Sequence, residues 1–346
     1  MKNVIYFKSV NSIGGVESWL YYLSKLYNNF IFYYKEGNPE QIGRLAENVE
    51  VRKYNGEIIE CDNFFCNYNP DILDNVKAKN YINMVHSDYK SLTIMPNMDI
   101  RFNKNIAVSN LARDSFKEVS GRDCETIYNP LVIEKPNVPK YNDNKLHLIS
   151  ATRLTKEKGL VRMQKLAQML DKAGIDYEWV VYTNRHRQPI GNKVVYKESK
   201  LDIFEDVAKA DYLVQLSDCE SYCYTIVEAL SVGTKVIATD LPVFKELGLN
   251  KDNSIVYNLD MSNVDINDIK KGYKEFKYTP PKSEWDKYLD NNSTYDPNEL
   301  VEVKTLKNIY LVDEDKHCIR HEIVKVSKKR ASVLECKGLV ERVWKY

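Results

Sequence analysis

At 346 residues, 43% of them apolar, the chain is long enough for about two domains with sizeable cores. Lys plus Arg number 50 and Asp plus Glu 49, so no global field marks an anionic polymer as partner; only a local basic face would escape that count. Seven irregularly spaced cysteines with no C-x-x-C pair argue against a disulfide framework and a structural zinc site, and no run nears the roughly 18 apolar residues of a membrane span.

The N-terminus enters a strand-like run, NVIYF, directly rather than the apolar core of a signal peptide, so a reducing, cytoplasmic setting is expected. Turn-formers carrying Gly14 and Gly15 follow. In GVESWLYYLSKLY, Val16, Trp19, Leu20, Leu23 and Leu26 recur at helical spacing. Strand, glycine loop and helix make the first step of an α/β fold. IFYY, NFFC, YINMVH and NIAVS read as further short strands, and SNLARDSFKEV as a helix with Ser109 at its N-cap.

The stretch IYNPLVIEKPNVPKYNDNK holds three prolines and several asparagines and reads as a linker, which puts a domain boundary near residue 140. Beyond it the rhythm restarts. HLISAT, YEWVVY, VVYK, YLVQLS and KVIATD alternate with helical stretches, among them LVRMQKLAQMLDKAG closed by Gly174, and TIVEALSVG. Alternation at these lengths implies right-handed crossovers and a parallel, doubly wound sheet in each half, with a cleft between them. The expected units are 1–140, 141–290 and a small appendage over 300–346, the last read as a ββα-like hairpin and helix capped by Ser327 and ended by Gly338. Within it Asp313-Glu314-Asp315 is read as a hairpin turn rather than a metal-binding triplet, and Cys219-x3-Cys223 lacks companions for a metal site.

Ligands of doubly wound sheets bind outside the carboxyl ends of the strands. YLVQLS ends at Ser217, so DCESYCY forms a loop on that edge, and the helix after it directs unpaired N–H groups and a partial positive charge into the same space. Glu220 and Glu228 bracket the turn. A carboxylate accepts from paired sugar hydroxyls, so one could hold a ribose and the other a hexose, with a diphosphate on the helix N-terminus between them. Spacing alone equally suits a helix-start Glu and a solvent-facing Glu.

SDCESYCYTIVEALSVGTKVIATDLPVFKELG resembles the signature region of the retaining GT-B glycosyltransferases of family four, with its two glutamates eight positions apart. ATRLTKEKGL is similar to that family's phosphate loop, SIGGVESWL to its diglycine loop and NMVHSDY to its histidine loop, all in the family's order over residues 1 to about 290. The resemblance implies a GT-B fold with an N-terminal acceptor domain and a C-terminal donor domain. It implies that Arg153 and Lys158 neutralise the leaving diphosphate of a nucleotide-sugar, with UDP the expected base carrier, and that His86 contacts the donor sugar. Glu220 and Glu228 take the sugar and ribose roles, and Gly14 and Gly15 allow close approach of backbone to phosphate. In place of the family's Gly-Phe-Gly-like loop stand Ser221, Tyr222, Cys223 and Tyr224. The backbone N–H groups of Tyr222, Cys223, Tyr224 and Thr225 remain to face the donor, while the departure leaves the donor sugar open.

No cofactor and no metal are expected, and the expected acceptor is a cell-surface glycan, glycolipid or similar saccharide without stable membrane insertion. The tail resembles small accessory segments of phage-encoded proteins, which opens a second reading as a transferase acting on hydroxymethylated bases in DNA. A non-catalytic nucleotide-sugar binder or assembly subunit is the competing reading of another class. His186, between Arg185 and Arg187, is a further candidate in a basic loop.

Overall fold

A computed structural model describes residues 1–68, 70–184, 189–269 and 275–343; Arg185, His186 and Arg187 lie outside these. The first sheet has seven parallel strands in the order β3-β2-β1-β4-β5-β6-β7. They are β1 (Asn3–Val10), β2 (Phe30–Gly37), β3 (Glu50–Lys53), β4 (Ile59–Asn67), β5 (Val76–Val85), β6 (Lys104–Ala107) and β7 (Glu125–Thr126). Central strand β1 reads as an almost continuous apolar run because helices cover both faces of a parallel sheet: Val4, Ile5, Tyr6 and Phe7 are all buried. The helices are α1 (Gly15–Leu26), α2 (Pro39–Leu45), α3 (Tyr89–Leu92) and α4 (Asn110–Ser120). Ser109 caps α4, its hydroxyl accepting from Ala112 N at 3.0 Å, as its sequence position predicts.

The second sheet has six parallel strands in the order β10-β9-β8-β11-β12-β13. These are β8 (Leu146–Ala151), β9 (Tyr177–Tyr182), β10 (Val194–Lys197), β11 (Tyr212–Gln215), β12 (Lys235–Thr239) and β13 (Ser254–Tyr257). Its helices are α5 (Leu160–Lys172), α6 (Phe204–Lys209), α7 (Tyr224–Ser231) and α8 (Pro242–Glu246). In both sheets the order turns back beside the first strand, and that switch point opens each sheet's carboxyl edge onto the shared cleft.

Past β13 the chain returns to the first sheet. Trp285 is fully buried against Trp19 (5.4 Å between centroids) and Phe65 (6.2 Å), so residues around 285–290, grouped by sequence with the second unit, pack on the first. The appendage also departs from a single hairpin. Strand β14 (Leu300–Thr305) pairs with β17 (Ile323–Ser327) and β18 (Val340–Arg342), and a separate hairpin of β15 (Ile309–Leu311) and β16 (Lys316–Cys318) is inserted between β14 and β17. The Asp313–Asp315 triplet forms that hairpin's turn, with Asp313 and Glu314 both paired to Arg330. Helix α9 (Lys328–Cys336) lies on α2 and β3. Arg342 locks this contact, donating to Glu335 Oε2, Val51 O and Ser332 Oγ at 3.0, 3.0 and 2.8 Å.

Candidate functional site

The second-domain wall of the cleft is built by two loops that touch. The loop after β8 reaches α5 through Gly159, whose φ is +80° and whose Cβ, if present, would stand 1.9 Å from Leu216 O. Only glycine permits that approach. The contact carries Lys158 to the loop after β11, where its Nζ meets Glu220 Oε1 at 2.7 Å with both side chains largely buried. Ser217 Oγ (2.7 Å) and Gln215 Nε2 (3.1 Å) donate to the same oxygen. Burial works against the Lys158 ammonium, but the Glu220 charge and hydrogen bond outweigh it and hold the pKa above the ordinary lysine range. Arg153 behaves differently. Its side chain is 74% exposed, with Glu157 at 3.8 Å, so it remains available to an arriving anion.

Helix α7 starts from Cys223, a non-glycine residue held at φ +84°. The Tyr222 and Tyr224 side chains are buried and turned to the interdomain linker, donating to Asn129 O (3.4 Å) and Pro130 O (2.9 Å). What these two positions offer a ligand is therefore backbone, not phenol. Thr225 Oγ1 lies 3.5 Å from Gln215 Oε1 and 3.3 Å from Cys223 Sγ. Burial pushes the Cys223 thiol up to about 12, which makes it a poor nucleophile or metal ligand. Among the described residues no group of three or more His, Cys, Asp and Glu side chains is placed to hold a metal ion.

One turn into α7, Glu228 Oε1 accepts from Tyr22 Oη of α1 at 2.8 Å, across the cleft. Burial raises the Glu228 carboxyl to about 7, against the pull of the Tyr22 hydrogen bond and the Arg44 charge. Tyr22 also packs on Tyr224, with ring centroids 5.3 Å apart.

The first-domain wall carries the diglycine loop and His86. A Cβ on Gly14 would lie 2.9 Å from Glu17 Oε2, whereas one on Gly15 would meet nothing within 4 Å. Gly14 thus serves a close approach within the loop, and Gly15 faces open space. His86 leaves the end of β5 with its ring edge-to-face on Trp19 (5.3 Å) and Phe7 (6.2 Å). Burial lowers its pKa to about 4, so the imidazole is neutral near pH 7, and its Nε2 is buried with no hydrogen-bond partner among the described residues. Ser221 ties the walls together. Its Oγ donates to His86 O at 2.6 Å, and its own carbonyl accepts from Ser109 Oγ at 2.5 Å. Glu246 of α8 adds a third tie at the start of α4, accepting from Asn110 N (2.5 Å), Leu111 N (3.2 Å) and Tyr128 Oη (2.9 Å).

The fold therefore gathers Lys158, Glu220, Ser221 and His86 at one point of the cleft and Glu228 at a second, while Arg153 projects outward. Sequence reasoning missed Tyr22, Gln215, Ser217 and Glu246. Ser217 and Gln215 sit three and five residues before Glu220, and only that local spacing hinted at them; Tyr22 and Glu246 gave no signal.

No protein-family model matches the chain, and no curated protein is similar to it in sequence. Its shape is similar to that of Anabaena Alr3699/HepE solved in complex with UDP and glucose, with a TM-score of 0.59 and 15% identity over 75% of this chain and 86% of that one. A glycosyltransferase from Rickettsia africae ESF-5 gives 0.53 and 15%, covering 74% and 84%. The apo form of the lipopolysaccharide outer core galactosyltransferase WaaB gives 0.52 and 14%, covering 75% and 86%. At these identities the likeness is one of fold, and that fold is GT-B.

Proposed function

We propose that the protein is a glycosyltransferase that moves a hexose from a UDP-sugar to an acceptor hydroxyl, with retention of configuration and without a metal ion. The observation that carries this reading is the meeting of Lys158, Glu220 and the His86 loop across one cleft, beside the N-terminus of α7. HepE, of the same fold, was solved with UDP and glucose, which supports a nucleotide-sugar as donor.

In this reading the diphosphate lies on the α7 N-terminus, where helix dipole and free N–H groups favour an anion. Lys158, already in place, and Arg153, free to swing in, stabilise the charge that grows on the departing phosphate. Glu228 accepts from the ribose hydroxyls. Three donors converge on Glu220 Oε1, and Oε2 is the oxygen assigned to a hydroxyl of the hexose. His86 Nε2, buried and without a partner among the described residues, is the neutral group placed for another sugar hydroxyl.

The carbon–oxygen bond to phosphate breaks as the acceptor oxygen bonds to the same anomeric carbon from the same face, and the departing phosphate takes the acceptor's proton. The protein supplies orientation, charge stabilisation and exclusion of water. The acceptor belongs to the first domain and is a cell-surface glycan or similar saccharide. Seven cysteines, none of them disulfide-bonded, suit a cytoplasmic site of action.

Thermal unfolding with UDP-, GDP-, ADP- and dTDP-sugars, with and without EDTA, tests the reading. A ligand at about 100 times its dissociation constant stabilises the native state by roughly 2.7 kcal/mol. A shift with the UDP series that EDTA leaves unchanged is the expected outcome. No shift with any donor would sink it.

A further inference from the structure

Strand β1 lies between β2 and β4, at the switch point of the first sheet, so the loop that joins it to α1 stands on the carboxyl edge facing the cleft. The helix that follows touches both sides of that cleft. Tyr22 reaches Glu228 at 2.8 Å, and the Trp19 ring packs on His86. A carboxylate sits in the mouth of this loop. Glu17, in the first turn of α1 and 9% exposed, accepts at Oε1 from Ser12 Oγ (2.7 Å). Its Oε2 lies over the main chain of Gly14, 2.9 Å from where a Cβ would stand, and has no donor among the described residues.

No ion pair among the described residues engages Glu17. Arg44 meets only its main-chain carbonyl, from Nη2 at 3.5 Å, with the guanidinium laid on the Tyr21 ring at 4.3 Å. Beside Ser12 a second acceptor is left open. Gln41 is 2% exposed and donates from Nε2 to Ser12 O (2.7 Å), while its Oε1 is buried with no partner among the described residues. A buried amide oxygen and a carboxylate oxygen in this state call for donors. Helix capping does not supply them. A capping-box glutamate at this position would reach back to the Gly14 N–H, whereas Glu17 turns to Ser12 Oγ.

We propose that Ser12, Glu17 and Gln41 form a subsite for the acceptor, in which Glu17 Oε2 and Gln41 Oε1 accept from saccharide hydroxyls neighbouring the one that attacks; the inference rests on the glycosyl-transfer reading of the cleft. An anion in the loop disfavours phosphate, so this assignment departs from the phosphate role that the resemblance implies for Gly14 and Gly15. Ser12 is a positioning residue. By fixing one carboxylate oxygen it holds the other in one place, so the acceptor is oriented as well as bound.

Methyl glycosides of glucose, galactose and N-acetylglucosamine present hydroxyl donors without charge. Titrated by NMR against the full chain with UDP present, at least one should bind. Glu17→Gln should weaken that binding by roughly tenfold or more, as expected for a lost hydrogen bond to a charged group, and leave UDP affinity unchanged. Ser12→Ala should weaken it in the same direction, and Ser12→Thr should keep it. Ser12 is exposed, so this pair decides the matter even if Glu17→Gln does not fold. Thermal unfolding checks that the variants fold alike. The proposal is overturned if no glycoside binds, or if Glu17→Gln lowers the melting temperature yet leaves glycoside affinity intact, as a purely structural role would. Tighter UDP binding in Glu17→Gln overturns it as well, because phosphate would then lie on the loop. UDP binding, followed separately by thermal shift, keeps the two readings apart. UDP bound without any glycoside sinks the subsite alone; a glycoside bound through Glu17 without UDP sinks the donor assignment alone.

Discussion

In the proposed reading, Glu228 makes donor affinity depend on pH. Burial pushes its carboxyl up to about 7, and the ionised form accepts from the ribose hydroxyls far more strongly than the protonated form. For one group of that pKa the ionised fraction is about 0.9 at pH 8 and about 0.1 at pH 6, so the dissociation constant for UDP-glucose should weaken roughly tenfold over that interval. The sign follows from the shift: the folded protein holds the proton more tightly than an ordinary glutamate, and the donor must drive it off. UDP-glucose is a good probe because its diphosphate is a diester with no proton to exchange in this range. Calorimetry at pH 6, 7 and 8 and fixed ionic strength, repeated in buffers of different ionisation heat, should show about half a proton released per donor at pH 7. Tyr22→Phe removes a hydrogen bond that favours the ionised form and should move the midpoint upward, whatever it does to affinity. Glu228→Gln should flatten the profile. A wild-type affinity constant between pH 6 and 8, or an unchanged slope in Glu228→Gln, would refute the ribose assignment.

Lys158→Ala removes the cation nearest the proposed diphosphate and leaves Glu220 with its Ser217 and Gln215 donors alone; turnover should fall by about 10² or more in steady-state assays, more than binding weakens. Gly159→Ala drives a Cβ into Leu216 O at a left-handed φ, and urea unfolding should show a loss of more than about 3 kcal/mol or no folded protein. Arg342→Met strands Glu335 in the contact between appendage and first domain, where the two side chains are 6% and 4% exposed. Chemical unfolding should register a loss of about 3–5 kcal/mol, with most of it recovered when Glu335→Leu is added.

The two parallel sheets were legible because most of their strands and longer helices announce themselves locally, through apolar runs and helical spacing over some ten residues. The same held for Ser109, whose position before α4 gave the cap. Short pieces held mainly by tertiary contact escaped: α2, β3 and β7 have little pattern of their own, and the β15–β16 hairpin hid inside what reads as one longer hairpin.

In the cleft the division is sharper. Glu220, Lys158 and His86 stand in motifs that a single stretch of chain displays, and so could be named from the sequence. What each one touches could not. Tyr22 is 206 residues from Glu228, Ser221 is 135 from the His86 carbonyl, and Glu246 is 136 from the amide it caps. No periodicity links residues so far apart; only closing the two sheets over one another brings them within hydrogen-bond distance. These partners also decide the chemistry. Tyr22 occupies the carboxylate that the proposed function assigns to the ribose, so a donor bound in that way would replace the Tyr22 hydroxyl with the ribose hydroxyls at Glu228 rather than fill a bare site. With Glu228 ionised, such an exchange gains only the difference between two sets of hydrogen bonds, and below pH 7 it also has to expel the proton. In the proposed reading the balance in favour of the bound donor then comes from the diphosphate, through Lys158, Arg153 and the start of α7.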